Sequence, residues 1–126
     1  MNLVIQIKDV RPGTWGWTCA GGWESPVNTR IGIAQGEECY HLWTLDPDAI
    51  IGRNQYGHCL KLHPSMGIMG MPPDETGLHP SAPPRVWGGN IDCKELVAGS
   101  TLYLPTSVPL GLFSVGDDHT VQADGK

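Results

Sequence analysis

The sequence has few basic residues, no long hydrophobic run and no recognisable leader segment. Its 126 residues contain 8 Lys and Arg against 13 Asp and Glu, which gives a net charge of -5. The basic residues form no stripe that would neutralise phosphates. No apolar run approaches the roughly 20 residues of a membrane-spanning helix, and the N-terminus lacks the basic, apolar and cleavage regions of a signal peptide. These absences argue against nucleic acid and membranes as partners and predict a cytoplasmic protein.

Closely spaced cysteine pairs are also absent. Cys19, Cys39, Cys59 and Cys93 are spread along the chain with no C-x-x-C motif. Structural zinc sites usually draw their ligands from such pairs, and disulfides are rare in the cytoplasm. We therefore expect four free and mostly buried thiols.

Glycine, proline and tryptophan are abundant. There are 17 Gly, 11 Pro and 5 Trp, and 40% of the residues are hydrophobic. Gly and Pro exceed their usual shares of about 7% and 5%, while the hydrophobic content is too high for a disordered chain. This composition predicts one loop-rich globular domain over residues 1–126.

Short segments with alternating apolar and polar residues predict a mainly β fold. The strand-like segments are LVIQIKDV, TRIGIAQG, ECYHLWTL, STLYLPTSV and LGLFSV. Long Gly- and Pro-rich loops separate them, including Pro72–Pro84, which is long enough to suggest a functional loop. At most one short helix is expected, over DCKELVAG, with Asp92 as its N-cap and Gly99 at its end.

Acids and a histidine are concentrated in LFSVGDDHTVQADGK, Leu112–Lys126. Asp117 and His119 stand two residues apart, so an extended strand would place both on one face. Such a pair can help to bind a divalent cation, which lowers the pKa of water to about 7 and polarises a carbonyl. Alternatively, GDDH is a hairpin turn, where Asp is favoured by bonds to its own backbone.

The segment WGGNIDCKEL, which ends at Leu96, has a similar ambiguity. Two glycines before Asn90 and Asp92 indicate a close backbone approach. Asp92 is either the cap of the predicted helix or a ligand. The four other histidines, which have no convergent acids or precede proline, are predicted to be structural or solvent-facing; these are His41, His58, His63 and His79.

The order of these motifs resembles the acetamidase/formamidase family. GGNIDCKELVAGSTLYLP, followed by LFSVGDDHTVQADGK, is similar to the family pattern GGNMD, a short helix, GS-x-LYLPV and LFSVGD-x-H-x-x-QGDGE. LVIQIKDVRPGTWGWT and LHPSMGIMGMPP resemble segments of its shorter bacterial members. The resemblance implies a jelly-roll-like β-sandwich or barrel and homo-oligomers. It also implies metal-dependent hydrolysis of small linear amides, such as formamide and acetamide, to a carboxylate and ammonia.

The same resemblance assigns roles to individual residues. It implies that Asp92 and His119 bind a divalent metal, Zn²⁺ by expectation, and that Asp117 is a further metal ligand or orients His119. Asp117, His119 and Gln122 would be catalytic, and Asn90 and Gly89 would bind the substrate.

Two departures leave a second hypothesis open. Ala123 replaces a glycine of the family pattern, and Lys126 replaces a glutamate. The chain also looks like a central fragment of a family member. The alternative function is therefore a non-catalytic fragment, or one complemented by another chain, that acts as a structural or interaction subunit.

Overall fold

The computed structural model describes Met1–Ala123 as nine strands and one helix. Their bounds are β1 Asn2–Gln6, β2 Trp15–Ala20, α1 Pro26–Arg30, β3 Cys39–Asp46, β4 Ile51–Asn54, β5 Cys59–Lys61, β6 Ser65–Gly70, β7 Gly88–Asn90, β8 Thr101–Pro105 and β9 Ser114–His119. The mainly β prediction is confirmed. Among the described residues, no helix has the length and hydrophobicity needed to cross a membrane.

The backbone forms two compact units, and the first contains Met1–Pro12 together with the chain from His63 onward. Here β1 pairs with β8, and β6 lies between β7 and β9, all antiparallel. Ile7, Met69 and Leu96 form the buried core of this unit. The core therefore joins Ile7, which directly follows β1, to segments more than sixty residues later in the sequence.

The second unit, Gly13–Leu62, is a four-stranded antiparallel sheet in the order β2-β3-β4-β5. Leu45 and Leu62 are buried. They approach Gly52 so closely that a Cβ there would lie 3.2 Å and 3.1 Å from their methyl groups. The described strands thus form three antiparallel sheets, and their jelly-roll arrangement stays a prediction.

The helix predicted over DCKELVAG is wrong. Asp92 has φ +50°, whereas a helix N-cap adopts an extended conformation. The helix in the structure is α1, where the Ser25 hydroxyl accepts a hydrogen bond from the Asn28 amide and Pro26 occupies the first turn. The sequence carried this signal, because Ser followed by Pro is favoured at a helix start.

Other local predictions need correction. TRIGIAQG is not a strand, since α1 runs through Arg30 and turns follow it. LGLFSV contributes only its last two residues to β9, because Leu110 and Leu112 have positive φ angles. The cysteines are free thiols, but they are half-buried or exposed rather than buried.

Candidate metal centre

Three side chains predicted as metal ligands converge in the first unit. One ligand atom from each of Asp92, Asp117 and His119 lies within 4.8 Å of the others. His119 Nε2 is 3.7 Å from Asp92 Oδ1 and 3.7 Å from Asp117 Oδ2. The structure therefore brings together residues separated by about 25 positions in the sequence.

Strand β9 and its neighbour β6 determine where Asp117 and His119 lie. GDDH belongs to β9 and pairs with β6, so its interpretation as a hairpin turn is wrong. Asp117 has φ +52°, a left-handed conformation that Asp tolerates better than most residues. Directly across the sheet, a Cβ on Gly67 would overlap the Asp117 carbonyl oxygen and lie 2.9 Å from His119 Cε1. Only glycine at position 67 leaves room for this arrangement.

Asp92 is held by the backbone of β6. The Gly67 carbonyl accepts hydrogen bonds from the amides of Ile91 and Asp92, at 3.0 and 3.1 Å. Asn90 Nδ2 donates to Asp92 Oδ2 at 2.9 Å, and Gln122 Nε2 donates to the Asp92 carbonyl oxygen. The amide, carboxylate and carbonyl of Asp92 are all fixed by defined partners.

The spacing and burial of the three ligands fit a small cation. Ligands about 2.1 Å from a tetrahedral ion are about 3.4 Å apart, close to the two 3.7 Å separations. The exposed fractions of the side chains are 15% for His119, 22% for Asp92 and 46% for Asp117. Two carboxylates brought together in a half-buried site repel each other, and a bound cation removes that cost.

Asn90 and Gln122 also carry unsatisfied acceptors. Asn90 Oδ1 and Gln122 Oε1 are buried, and neither has a hydrogen-bond partner among the described residues. A buried polar atom without a partner costs about 1–3 kcal/mol, so such atoms in a native structure usually mark a place for water or a ligand. Both oxygens belong to side chains that donate a hydrogen bond to Asp92.

Gly89 lies elsewhere in the first unit. It borders a cleft of about 490 Å³ beneath the Pro-rich loop, and the lining of that cleft does not include the three candidate ligands. Its φ is +134°, and a Cβ there would lie 3.2 Å from Pro84 Cα. The close approach expected from the glycine pair is thus made to the chain's own loop, and a role of Gly89 in substrate binding stays a prediction.

Sequence reasoning missed the importance of Gly67. A glycine inside a strand often marks a close backbone approach, and Gly67 stands between alternating apolar residues of β6. That signal was available, but it does not identify which segment approaches.

Lys126, which departs from the family pattern, lies outside the described residues.

Comparisons with known proteins identify similar sequences. The profile of the acetamidase/formamidase family matches residues 77–126. A formamidase of Methylophilus methylotrophus is 48% identical over 46 residues, 36% of this chain and 11% of that protein. A relative from Schizosaccharomyces pombe is 31% identical over 109 residues, 76% of this chain and 26% of the relative.

A solved structure extends the similarity to nearly all of the chain. The crystal structure of an acetamidase from Bacillus halodurans has a TM-score of 0.81 and 28% identity, covering 98% of this chain and 40% of that one. The chain thus spans less than half the length of the relatives that it matches. The family profile, the relatives and the solved structure lead to one conclusion: the chain belongs to the acetamidase/formamidase family.

Proposed function

We propose that the protein hydrolyses small linear amides of the formamide and acetamide type, with a divalent cation held by Asp92, Asp117 and His119. The observation that supports this proposal most is the convergence of the three ligand atoms within 4.8 Å. The names of the relatives, formamidase and acetamidase, supply the substrate class.

One imidazole and two carboxylates are a donor set that suits Zn²⁺. A cation of this kind, when bound, supplies water of lowered pKa and polarises the carbonyl of the amide. Three protein ligands would leave the fourth position of a tetrahedral ion open for water or substrate.

The protein's own residues would position these reactants. Asp92 is fixed by its three hydrogen-bonded groups, so it provides a rigid side of the site. Asp117 is the most exposed of the three side chains, and it therefore faces the direction from which substrate enters. A carboxylate there is able to accept a proton from the attacking water.

The overall reaction conserves atoms and charge. Water adds its oxygen to the carbonyl carbon, the C–N bond breaks, and the nitrogen leaves with protons as ammonium. The products are one carboxylate and one ammonium ion from one amide and one water.

The test is ammonia release from formamide and acetamide by the full chain, with added zinc or with a chelator. We expect zinc-dependent turnover that His119→Ala and Asp117→Asn reduce about 100-fold or more, because ligand loss weakens the site at least as much as loss of a supporting residue. Asn tolerates the positive φ at position 117, so that variant removes charge without new backbone strain. The matched control is Asp118→Asn, one residue along β9, where the side chain is exposed and is not part of the ligand group.

Zinc binding should be measured separately, by competition with a coloured chelator. A folded protein that binds zinc but releases no ammonia would contradict the proposed activity and favour the non-catalytic or partner-complemented alternative. Sedimentation of the same samples tests the predicted homo-oligomer.

A further inference from the structure

We infer that Asn90 and Gln122 are specificity-determining residues that recognise the NH₂ group of the substrate. The inference rests on the proposed function and concerns the same site. It starts from the two buried carboxamide oxygens that have no partner among the described residues.

The orientation of both carboxamides follows from their contacts with Asp92. Each donates its nitrogen to an oxygen of Asp92, Asn90 to the carboxylate and Gln122 to the carbonyl. Since those oxygens only accept hydrogen bonds, neither carboxamide can be reversed without placing oxygen against oxygen. The two side-chain oxygens are therefore held as acceptors that Asp92 cannot satisfy.

A primary amide has groups that complement this arrangement. Its carbonyl oxygen suits the cation held by Asp92, Asp117 and His119, and its NH₂ group carries two hydrogens on the adjacent atom. Asn90 Oδ1 and Gln122 Oε1 offer two acceptors, one for each hydrogen. An ester has no N–H to donate, and it would leave both acceptors unsatisfied.

The same acceptors disfavour the carboxylate product. Once the C–N bond has broken, an oxygen occupies the position of the amide nitrogen. A carboxylate oxygen only accepts hydrogen bonds, so it is repelled by two fixed carboxamide oxygens. The residues that select the substrate would thus also weaken binding of the product.

The test compares acetamide with methyl acetate, which has the same acyl group. In the zinc-loaded full chain, kcat/KM is measured for both substrates in wild type, Gln122→Met and Asn90→Leu. We expect each variant to lower the amide-to-ester ratio of kcat/KM about tenfold, the size of one lost hydrogen bond. If these residues only position Asp92, both rates fall together and the ratio stays constant, which would overturn the inference.

The control and a second readout keep the two proposals separate. Gln35→Met makes the same change at an exposed position of the second unit and should leave the ratio unchanged. Binding of acetamide and methyl acetate is also measured by ligand-observed NMR, which needs no turnover. Acetamide binding that weakens about tenfold in Gln122→Met, without ammonia release, would support the inference while the proposed activity failed. Equal binding of the two compounds to wild type would overturn the inference, whatever the turnover.

Discussion

Two polar clusters, one in each unit, use carboxamides and histidine in opposite ways. In the second unit, Asn54 Nδ2 lies 3.0 Å from His58 Nδ1 and 3.4 Å from His41 Nδ1. Its Oδ1 accepts hydrogen bonds from the amides of Tyr56 and His58, so both ends of that carboxamide have partners. In the first unit, Asn90 and Gln122 donate to Asp92, and their oxygens have no partner within residues 1–123.

The two clusters also differ in the groups that surround their histidines. His41 packs against the rings of Tyr56 and Trp43, with centroids 5.4 Å and 6.5 Å away, whereas His119 lies beside two carboxylates. A polar network whose members satisfy one another stabilises a loop. Converging acids with unsatisfied neighbours form the site at which we propose that a cation and the substrate bind. The difference shows that residue type alone does not separate a structural cluster from a candidate site.

The largest expected effect comes from a substitution in β6, the strand that supports the candidate metal centre. Gly67→Ala places a methyl group against the Asp117 carbonyl oxygen and the His119 ring. We expect a loss of at least about 3 kcal/mol in the free energy of unfolding, measured in urea, together with loss of zinc binding.

Gly116→Ala is the matched control for that variant. Gly116 lies in β9, and a Cβ there meets no atom within 4 Å. Its stability should change by less than about 1 kcal/mol. Equal effects of the two substitutions would show that the close approach at Gly67 does not determine the site.

A smaller effect is expected from the cluster in the second unit. Asn54→Ala removes the buried acceptor of two backbone amides and should cost about 2 kcal/mol of unfolding free energy. Zinc affinity should not change, because the candidate ligands belong to the first unit. Asn2→Ala, at an exposed position, provides the control. A fall in zinc affinity for Asn54→Ala would remove the distinction between the two clusters.

The smallest expected effect is a change in the pKa of one tyrosine in the second unit. The pKa of Tyr40 is raised because its hydroxyl donates to the Glu38 carboxylate at 2.7 Å and because that charge disfavours the phenolate. This contribution to stability is present below about pH 10, the usual pKa, and is lost as the pH rises through the raised value. Glu38→Gln should therefore lower the Tyr40 pKa, as followed by tyrosinate absorbance.

Tyr40→Phe identifies which of the three tyrosines gives that signal. An unchanged titration in Glu38→Gln would contradict the assigned cause of the shift.

Much of the fold could be predicted from local patterns. The alternation in LVIQIKDV predicts β1, and that in STLYLPTSV predicts β8, because one face of each strand contacts the core. The pairing of these two strands could not be predicted, since the paired residues, from Gln6 with Thr101 to Asn2 with Pro105, are about 95 to 103 positions apart. Nothing in the local sequence specifies that distance.

The candidate site shows the same limit. Asp92, Asp117 and His119 were identified by resemblance to family motifs, and the structure brings them together. The predicted cap at Asp92 failed because Asp92 has φ +50° and its carboxylate accepts a hydrogen bond from Asn90 Nδ2, so tertiary context overrides the local helix preference. The satisfied network around Asn54 has no such motif, and only the folded backbone reveals it.

The insertion of Gly13–Leu62 within the first unit has a consequence for the order of folding. The second unit is continuous in sequence, and its strands pair with their nearest neighbours along the chain, so low loop-closure entropy favours its early formation. β1 cannot pair until β8 has been synthesised. β9, which carries two of the candidate ligands, follows β8 in the sequence. During synthesis, β1 would stay without its partner while the inserted sheet forms. The candidate metal centre is thus among the last parts of the molecule to assemble.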